Sequence, residues 1–182
     1  MSETKQVLLC GLGGQGVVLA GALLGSAAFR QGLRVSGTSS YGSAARGGEC
    51  RSEVVLTDGV IAFPYVTKAD VLVAFSQPAY NRYLGWTASP DGVVFYDEGS
   101  VEHAAGAAQR HLSIPASRSV ESSLGAKVGA NIAMLGAVVA VTGIVTRQAL
   151  TDAVAEGSPA RFLELNLRAL DLGFHLGRDA TL

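Results

Sequence analysis

Glycines near the start of the chain are spaced as in loops that bind phosphate groups. Residues 8–21 read LLCGLGGQGVVLAG, and Gly11, Gly13 and Gly16 form a Gly-x-Gly-x-x-Gly pattern. An apolar run precedes the pattern and a run with helical periodicity follows it. In such a loop the backbone approaches the ligand closely, and the helix N-terminus offers N–H donors and partial positive charge. The pattern therefore predicts a ligand-binding turn between a strand and a helix.

The second predicted strand lacks the acidic residue that dinucleotide sites use to bind a ribose. It ends in SGTSSYG at residues 36–42, and the next acidic residue is Glu49. Three interpretations of the first loop stay open: a conventional NAD or FAD site, a tightly packed turn without a ligand, and a site for another anion or cofactor edge. We favour the last.

A second glycine-rich segment, SYGSAARGG at residues 40–48, has no helical or strand periodicity. Tyr41 offers a ring for stacking and a hydroxyl donor, and Arg46 can bind a carboxylate or phosphate through two hydrogen bonds. Because the segment follows the second strand, we expect it at the same sheet edge as the first loop. The alternative is a surface turn with a solvated arginine.

The periodicity along the chain predicts an α/β fold. Short apolar runs alternate with amphipathic segments, and the first strand, helix and second strand predict a neighbouring parallel pair. We expect one three-layer Rossmann-like domain over residues 1–182, with a mostly parallel sheet and C-terminal helices. Asp58-Gly59 separates two strand-like runs and predicts a hairpin near residues 50–63.

Composition excludes several classes of function. The 182 residues carry a net charge of −1, which gives no electrostatic basis for binding nucleic acid or an anionic membrane. The apolar stretch 128–145 is rich in glycine and alanine, so we interpret it as a buried helix and expect no membrane span. Two cysteines are too few for a metal cluster or a disulfide framework, and they favour a cytoplasmic protein.

Three segments in the same order as in a known family carry a resemblance that covers residues 5–173. They are GLGGQGVVLAG at 11–21, SYGSAARGG at 40–48 and GANIAMLGAV at 129–138. Together they resemble the gamma subunit or domain of the 2-oxoacid:ferredoxin (acceptor) oxidoreductases, which include pyruvate, 2-oxoglutarate and indolepyruvate forms. Carried over by position, the residues that would line the site near CoA are Gly11, Gly13, Gly14, Gln15, Gly16, Tyr41, Arg46, Gly47 and Gly48.

The resemblance implies a subunit without catalytic residues or a metal of its own. Thiamine diphosphate, Mg²⁺ and iron–sulfur clusters would lie on alpha and beta partner subunits, with a delta subunit as a further option. CoA would be a substrate, no cofactor would bind tightly to this chain alone, and electrons would pass through the complex to ferredoxin or another acceptor. The isolated chain is expected to be inactive, and a homodimer of it stays open. The alternative is a stand-alone Rossmann-like nucleotide-binding protein.

Overall fold

The structure is a computed structural model that describes residues 4–42, 47–126 and 128–180. Within those residues, six strands form one sheet in the order β2-β3-β1-β4-β5-β6. The strands are β1 (Thr4–Leu12), β2 (Arg34–Tyr41), β3 (Glu49–Thr57), β4 (Val71–Ala74), β5 (Val93–Asp97) and β6 (Arg110–Ile114).

Helices connect β1 to β2 and β4 to β5, and after β6 they form the C-terminal part of the described chain. They are α1 (Val17–Arg30), α2 (Gln77–Tyr83), α3 (Ala116–Leu124), α4 (Ala130–Thr142), α5 (Arg147–Gly157) and α6 (Leu163–Asp179). Sequence reasoning missed α3, because its serine-rich segment has only two buried residues, Ala116 and Val120. It also extended the apolar helix beyond α4, whose ends lie at the left-handed glycines Gly129 and Gly143.

Helices and loops cover both faces of the sheet. Leu9 and Val73 belong to a large core that includes α1 and α3 to α6. Leu8 and Leu72 belong to a smaller core with α2 on the opposite face. Successive residues of one strand therefore enter different cores, as the two-residue period of a strand requires. The predicted α/β class with C-terminal helices is confirmed.

The sheet is parallel from β1 through β4 and β5 to β6 and antiparallel where β3 joins β1 and β2. The expectation that β1 and β2 are neighbours is wrong. The two strands run in the same direction, but β3 lies between them. Val54 and Val55 of β3 are buried on opposite faces, whereas most of β2 is exposed. The burial pattern thus suits β3 to the interior of the sheet and β2 to its edge.

The hairpin predicted near residues 50–63 is also wrong. Residues 49–57 form β3, whose hairpin partner is the preceding β2. The segment after Asp58-Gly59 forms no strand, and its apolar residues Val60 and Phe63 are 72% and 55% exposed. Pro64 follows and lacks the N–H that a ladder needs. The apolar run at residues 60–63 therefore does not form a strand.

Glycines allow α4 and α6 to pack with their backbones close together. A Cβ added at Gly173 would lie 2.0 Å from the Ala133 carbonyl oxygen, and one at Gly177 would lie 2.6 Å from that of Ala137. The small residues of the apolar segment are thus explained by packing between two helices. Among the described residues, none of the helices combines the length and the apolarity needed to cross a bilayer.

Candidate functional site

The chain reverses its direction of sheet growth between β1 and β4. From β1 it passes through α1 to the β2 edge, and from β4 it passes through α2 towards β5 and β6. Ligands of open α/β sheets bind in the crevice at the carboxyl ends of strands at such a switch point. The first glycine loop and Phe75, which follows β4, meet at this crevice, where the Phe75 N–H donates to the Cys10 carbonyl at 2.9 Å.

Gln15 folds back and braces the first glycine loop. Its Oε1 accepts a hydrogen bond from the Leu12 N–H at 2.6 Å, and its Nε2 donates to the Phe75 carbonyl at 2.9 Å. Gly11 leaves room for this side chain, because a Cβ there would lie 2.6 Å from Gln15 Oε1. The loop thus satisfies the Leu12 donor internally instead of leaving it for a ligand.

The structure brings Gly47 and Gly48, the described end of the second glycine segment, into contact with the first glycine loop. The Gly13 N–H donates to the Gly48 carbonyl at 2.7 Å, and the Gly47 N–H donates to the Gly13 carbonyl at 3.3 Å. This pair of bonds fixes Gly47 and Gly48, directly before β3, beside the strand–helix turn. Arg46, the predicted anion-binding residue of that segment, lies outside the described residues, so its role stays a prediction.

Asn131 links the first loop to α4. Its Nδ2 donates to the Gly16 carbonyl at 3.1 Å, and the residue is buried, with 8% of its surface exposed. Gly16 has φ 74° and begins α1, and a Cβ there would lie 2.4 Å from Asn131 Nδ2. Glycine is therefore required at residue 16 both by its left-handed backbone and by the approach of Asn131.

A cavity of about 520 Å³ opens beside this contact. The N-termini of α1 and α4 border it, and both helices begin at glycines, which cannot cap a helix with a side chain. The first turn of each helix also lacks an acidic residue, so partial positive charge faces the same region from two helices. Its lining residues are Gly14, Gln15, Gly16, Leu19, Phe75, Ser117, Val128, Gly129, Ala130, Asn131, Ile132, Pro159, Phe162 and Asn166.

Tyr41 lies away from this cavity. It ends β2, is 67% exposed and lines a smaller cavity of about 220 Å³ with Glu49, Arg51 and Arg82 among its neighbours. The structure therefore does not bring all the predicted lining residues to one cavity. Gly14, Gln15 and Gly16 line the larger cavity, and Tyr41 lines the smaller one. The other described residues of the prediction are not among those that line either cavity: Gly11, Gly13, Gly47 and Gly48.

Glu49 stands beside the glycine loop but is already bound by other side chains. It pairs with Leu12 across the β1–β3 ladder, and its carboxylate accepts hydrogen bonds from Arg82 at 2.8 Å and from the Tyr83 hydroxyl. Burial, together with the hydrogen bond to Glu49, raises the pKa of Tyr83 above its ordinary value. This acid does not provide the free carboxylate of a ribose site, and the inserted β3 separates β2 from β1. Both features argue against a conventional dinucleotide site.

Sequence reasoning missed several residues of the larger cavity, because their elements meet only in the folded chain. Phe75 follows β4, Ser117 lies in α3 and Asn166 lies in α6. Ser117 is held in place by Asp97, whose Oδ1 accepts from the Ser117 N–H at 3.0 Å and whose Oδ2 accepts from its hydroxyl at 2.6 Å. The one available signal was Asn131, a polar residue in an otherwise apolar helix.

The side chains of the described ranges 4–42, 47–126 and 128–180 do not assemble three or more His, Cys, Asp or Glu residues into a group that could hold a metal ion. Cys10 and Cys50 are free and buried. Burial raises the pKa of both thiols, and that of Cys10 far above its ordinary value. Neither thiol is therefore an activated nucleophile, which would need a lowered pKa.

Comparison with known proteins identifies the family of this chain. Residues 6–176 match the family described as pyruvate ferredoxin/flavodoxin oxidoreductase. The 2-oxoglutarate synthase subunit KorC of Methanocaldococcus jannaschii is 37% identical over 178 residues, which cover 96% of this chain and 95% of that protein. The crystal structure of the gamma subunit of a keto/oxoacid ferredoxin oxidoreductase from Geobacter sulfurreducens PCA is 31% identical, covers 98% of both chains and has a TM-score of 0.86.

A longer chain contains the same fold. The 2-oxoglutarate:ferredoxin oxidoreductase from Magnetococcus marinus, solved with 2-oxoglutarate, coenzyme A and succinyl-CoA bound, is 21% identical with a TM-score of 0.86. The match covers 97% of this chain and 31% of that one. With matches that span nearly its whole length, the chain belongs to the pyruvate ferredoxin/flavodoxin oxidoreductase family, as a gamma subunit of a 2-oxoacid:ferredoxin oxidoreductase.

Proposed function

We propose that this chain is the gamma subunit of a cytoplasmic enzyme that oxidatively decarboxylates 2-oxoglutarate. The observation that carries the choice of 2-oxoacid is the 37% identity to a 2-oxoglutarate synthase subunit over nearly the full length of both proteins. The overall reaction converts a 2-oxoacid and CoA to CO₂ and an acyl-CoA, and two electrons pass to ferredoxin or a similar acceptor. The unpaired state of both cysteines supports a reducing compartment.

The cofactors of this reaction belong, in our proposal, to the alpha and beta partner subunits. Thiamine diphosphate with Mg²⁺ supplies the carbanion chemistry of decarboxylation, and iron–sulfur clusters carry the electrons. Such clusters are held by four cysteine thiolates, whereas this chain has two cysteines. The residues present therefore do not fit an iron–sulfur cluster, and we derive no electron-transfer step through this chain.

The role of this chain is to complete the site near CoA and the interface between subunits. Gly14 is the exposed residue of the first loop, and a Cβ added there would meet no atom within 4 Å. Leu19 and Val128 are 40% and 55% exposed at the cavity beside it. A largely apolar wall with two uncapped helix N-termini suits a ligand that has both a long uncharged arm and anionic groups, as CoA has.

The first experiment is purification of the tagged chain with its partners, followed by oxidation of a panel of 2-oxoacids with a dye acceptor. We expect two or more partner subunits, activity that requires added CoA, and the highest kcat/KM for 2-oxoglutarate. Equal activity with pyruvate would contradict the substrate assignment. Recovery of the chain alone with a bound nucleotide would contradict the subunit assignment and support the nucleotide-binding alternative.

A matched pair of variants tests the placement of CoA. Leu19→Glu puts a carboxylate in the first turn of α1, where it competes with an anionic ligand for the helix N-terminus. Ser26→Glu adds the same charge to an exposed residue of the same helix, away from the cavity. We expect the KM for CoA to rise about tenfold in Leu19→Glu complexes, corresponding to about 1.4 kcal/mol, and to stay unchanged in Ser26→Glu complexes. Unchanged CoA dependence in both would remove this cavity from the CoA site.

A further inference from the structure

The outer edge of β2 is an unpaired strand edge without the usual protection. Among the described residues, β2 pairs only with β3, and its eight residues follow that strand one to one without a bulge. Native edge strands are usually short or carry lysine, proline or a bulge that prevents further pairing. The sequence RVSGTSSY has neither lysine nor proline, and its one charge is at the first residue, Arg34. The edge is therefore able to accept another strand.

We propose that this edge binds β2 of a second copy of the chain, antiparallel, about a two-fold axis at Thr38. Two copies joined in this way would form one continuous twelve-stranded sheet. Such a register places Thr38 opposite Thr38 of the second copy and keeps each side chain on the same sheet face as the residue it pairs with. This condition matters because a shift of one residue turns every side chain to the other face.

The side chains of β2 are complementary in this register. Ser36 comes opposite Ser40 of the second copy, so hydroxyl residues flank the central threonine pair on one face. Val35 comes opposite Tyr41 of the second copy on the other face. Threonine–serine pairs and pairs of an aromatic with a β-branched residue are among the favourable cross-strand pairs, and no like charges face each other. A foreign strand would need to match this pattern separately, which is why a second copy is the favoured partner.

Exposed apolar side chains border the same edge. The Ser36 hydroxyl donates to the Pro64 carbonyl at 2.9 Å, which fixes the segment 60–66 next to β2. Phe63 and Tyr65 flank this contact, are 55% and 51% exposed and pack edge to face with ring centroids 5.5 Å apart. No described residue covers them further. A second copy paired along β2 would approach this segment.

The area available suits a weak dimer. Seven paired residues make a contact about 24 Å long and about 10 Å deep. The exposed parts of Tyr41, Phe63 and Tyr65 add on the order of 300 Å². Two copies would together bury about 1,100 Å², close to the lower limit of about 1,000 Å² for a specific interface. We therefore expect a dimer that dissociates on dilution.

A cysteine cross-link tests the register directly. Thr38→Cys places two thiols opposite each other in the proposed ladder, at a Cα separation of about 5 Å that a disulfide can span. Ser40→Cys places them about 14 Å apart along the strand, beyond the roughly 7 Å limit. Ser123→Cys, on an exposed position of α3, is the control for random collision. The native Cys10 and Cys50 are buried and do not interfere.

We expect a covalent dimer of the full chain from Thr38→Cys under mild oxidation and none from the two controls. Sedimentation velocity should show a concentration-dependent dimer of the unmodified chain. Its dissociation constant should rise at least tenfold in Thr38→Lys, where two like charges meet, and stay unchanged in Ser123→Lys. A monomer at all concentrations, a cross-link through Ser40→Cys instead, or a Thr38→Cys cross-link to another subunit of the complex would each overturn the proposal.

Discussion

Gln15 Nε2 donates a hydrogen bond to the carbonyl oxygen of Phe75 at 2.9 Å, and this bond ties the loop after β1 to the end of β4. The two strands are the neighbours between which the sheet reverses its direction of growth. A side chain from within the glycine loop therefore holds the two walls of the crevice together. Any ligand at this edge meets a loop that is already ordered.

Replacing Gln15 tests this bracing role. Gln15→Ala removes an acceptor from the Leu12 N–H and a donor from the Phe75 carbonyl. We expect the free energy of unfolding to fall by about 1–3 kcal/mol, because two partly buried backbone groups lose their partners. Urea denaturation measures the change. Gln148→Ala, which removes an exposed contact to Asp152 within α5, should stay within about 0.5 kcal/mol of the unmodified chain.

Gly14 and Gly16 lie in the same loop, but glycine is needed at the two positions for different reasons. Both have positive φ, but a Cβ at Gly16 would lie 2.4 Å from Asn131 Nδ2, whereas one at Gly14 would meet nothing within 4 Å. Gly14→Ala should cost about 1–2 kcal/mol of unfolding free energy from backbone strain alone. Gly16→Ala should cost more.

Asn131→Ala provides the control for this comparison. If steric contact with Asn131 causes the extra loss, the combination of Gly16→Ala with Asn131→Ala should recover that part, measured as a non-additive double-mutant cycle. Additive losses would show that the backbone of the loop, and not the contact with α4, requires glycine at residue 16.

The elements that the sequence predicted well are those whose burial shows in local pattern. The apolar runs of β4 and β5 and the strand–glycine–helix unit around Gly13 all read directly from residue types. The position of β3 does not, because an alternating strand pairs equally well with the strand before or after it. Which strands β3 pairs with depends on burial by residues far away in the sequence. In the described structure β3 lies between β1 and β2, where both of its faces are covered.

The sequence predicts the glycines of the candidate site, but it does not predict the residues from other elements that form the walls of the cavity. Local spacing identifies Gly11, Gly13 and Gly16, because a strand-to-helix turn imposes conformations on consecutive residues. Asn166 lies far along the chain and reaches the cavity only because α6 packs on α4. Contacts of that kind depend on the packing of helices, which no short segment encodes.

Alanine variants of Gly173 and Gly25 test whether a glycine within a helix is required by close packing against another helix or could be replaced without steric conflict. A Cβ at Gly173 would lie 2.0 Å from the Ala133 carbonyl oxygen, so Gly173→Ala forces α6 away from α4. We expect a loss of about 1–3 kcal/mol or more. Gly25→Ala meets only Val35 Cγ1 at 3.4 Å and should gain up to about 1 kcal/mol through helix propensity. Thermal unfolding of both variants measures the contrast, and equal shifts would contradict the packing interpretation.

Cys10 should make the fold sensitive to alkaline pH. Burial, with a smaller effect of the Glu49 charge, raises the pKa of its thiol above the ordinary value of 9.0. Above about pH 9 the unfolded chain therefore releases this proton while the folded chain keeps it, so the stabilisation is complete below that pH and declines as pH rises. We expect the unfolding free energy to fall by about 1 kcal/mol from pH ~8 to pH ~10 through this residue. Urea midpoints across that range should fall less steeply in Cys10→Ala than in the unmodified chain, whatever the absolute cost of the substitution. Parallel curves for the two proteins would show that the buried thiol does not contribute to the alkaline loss.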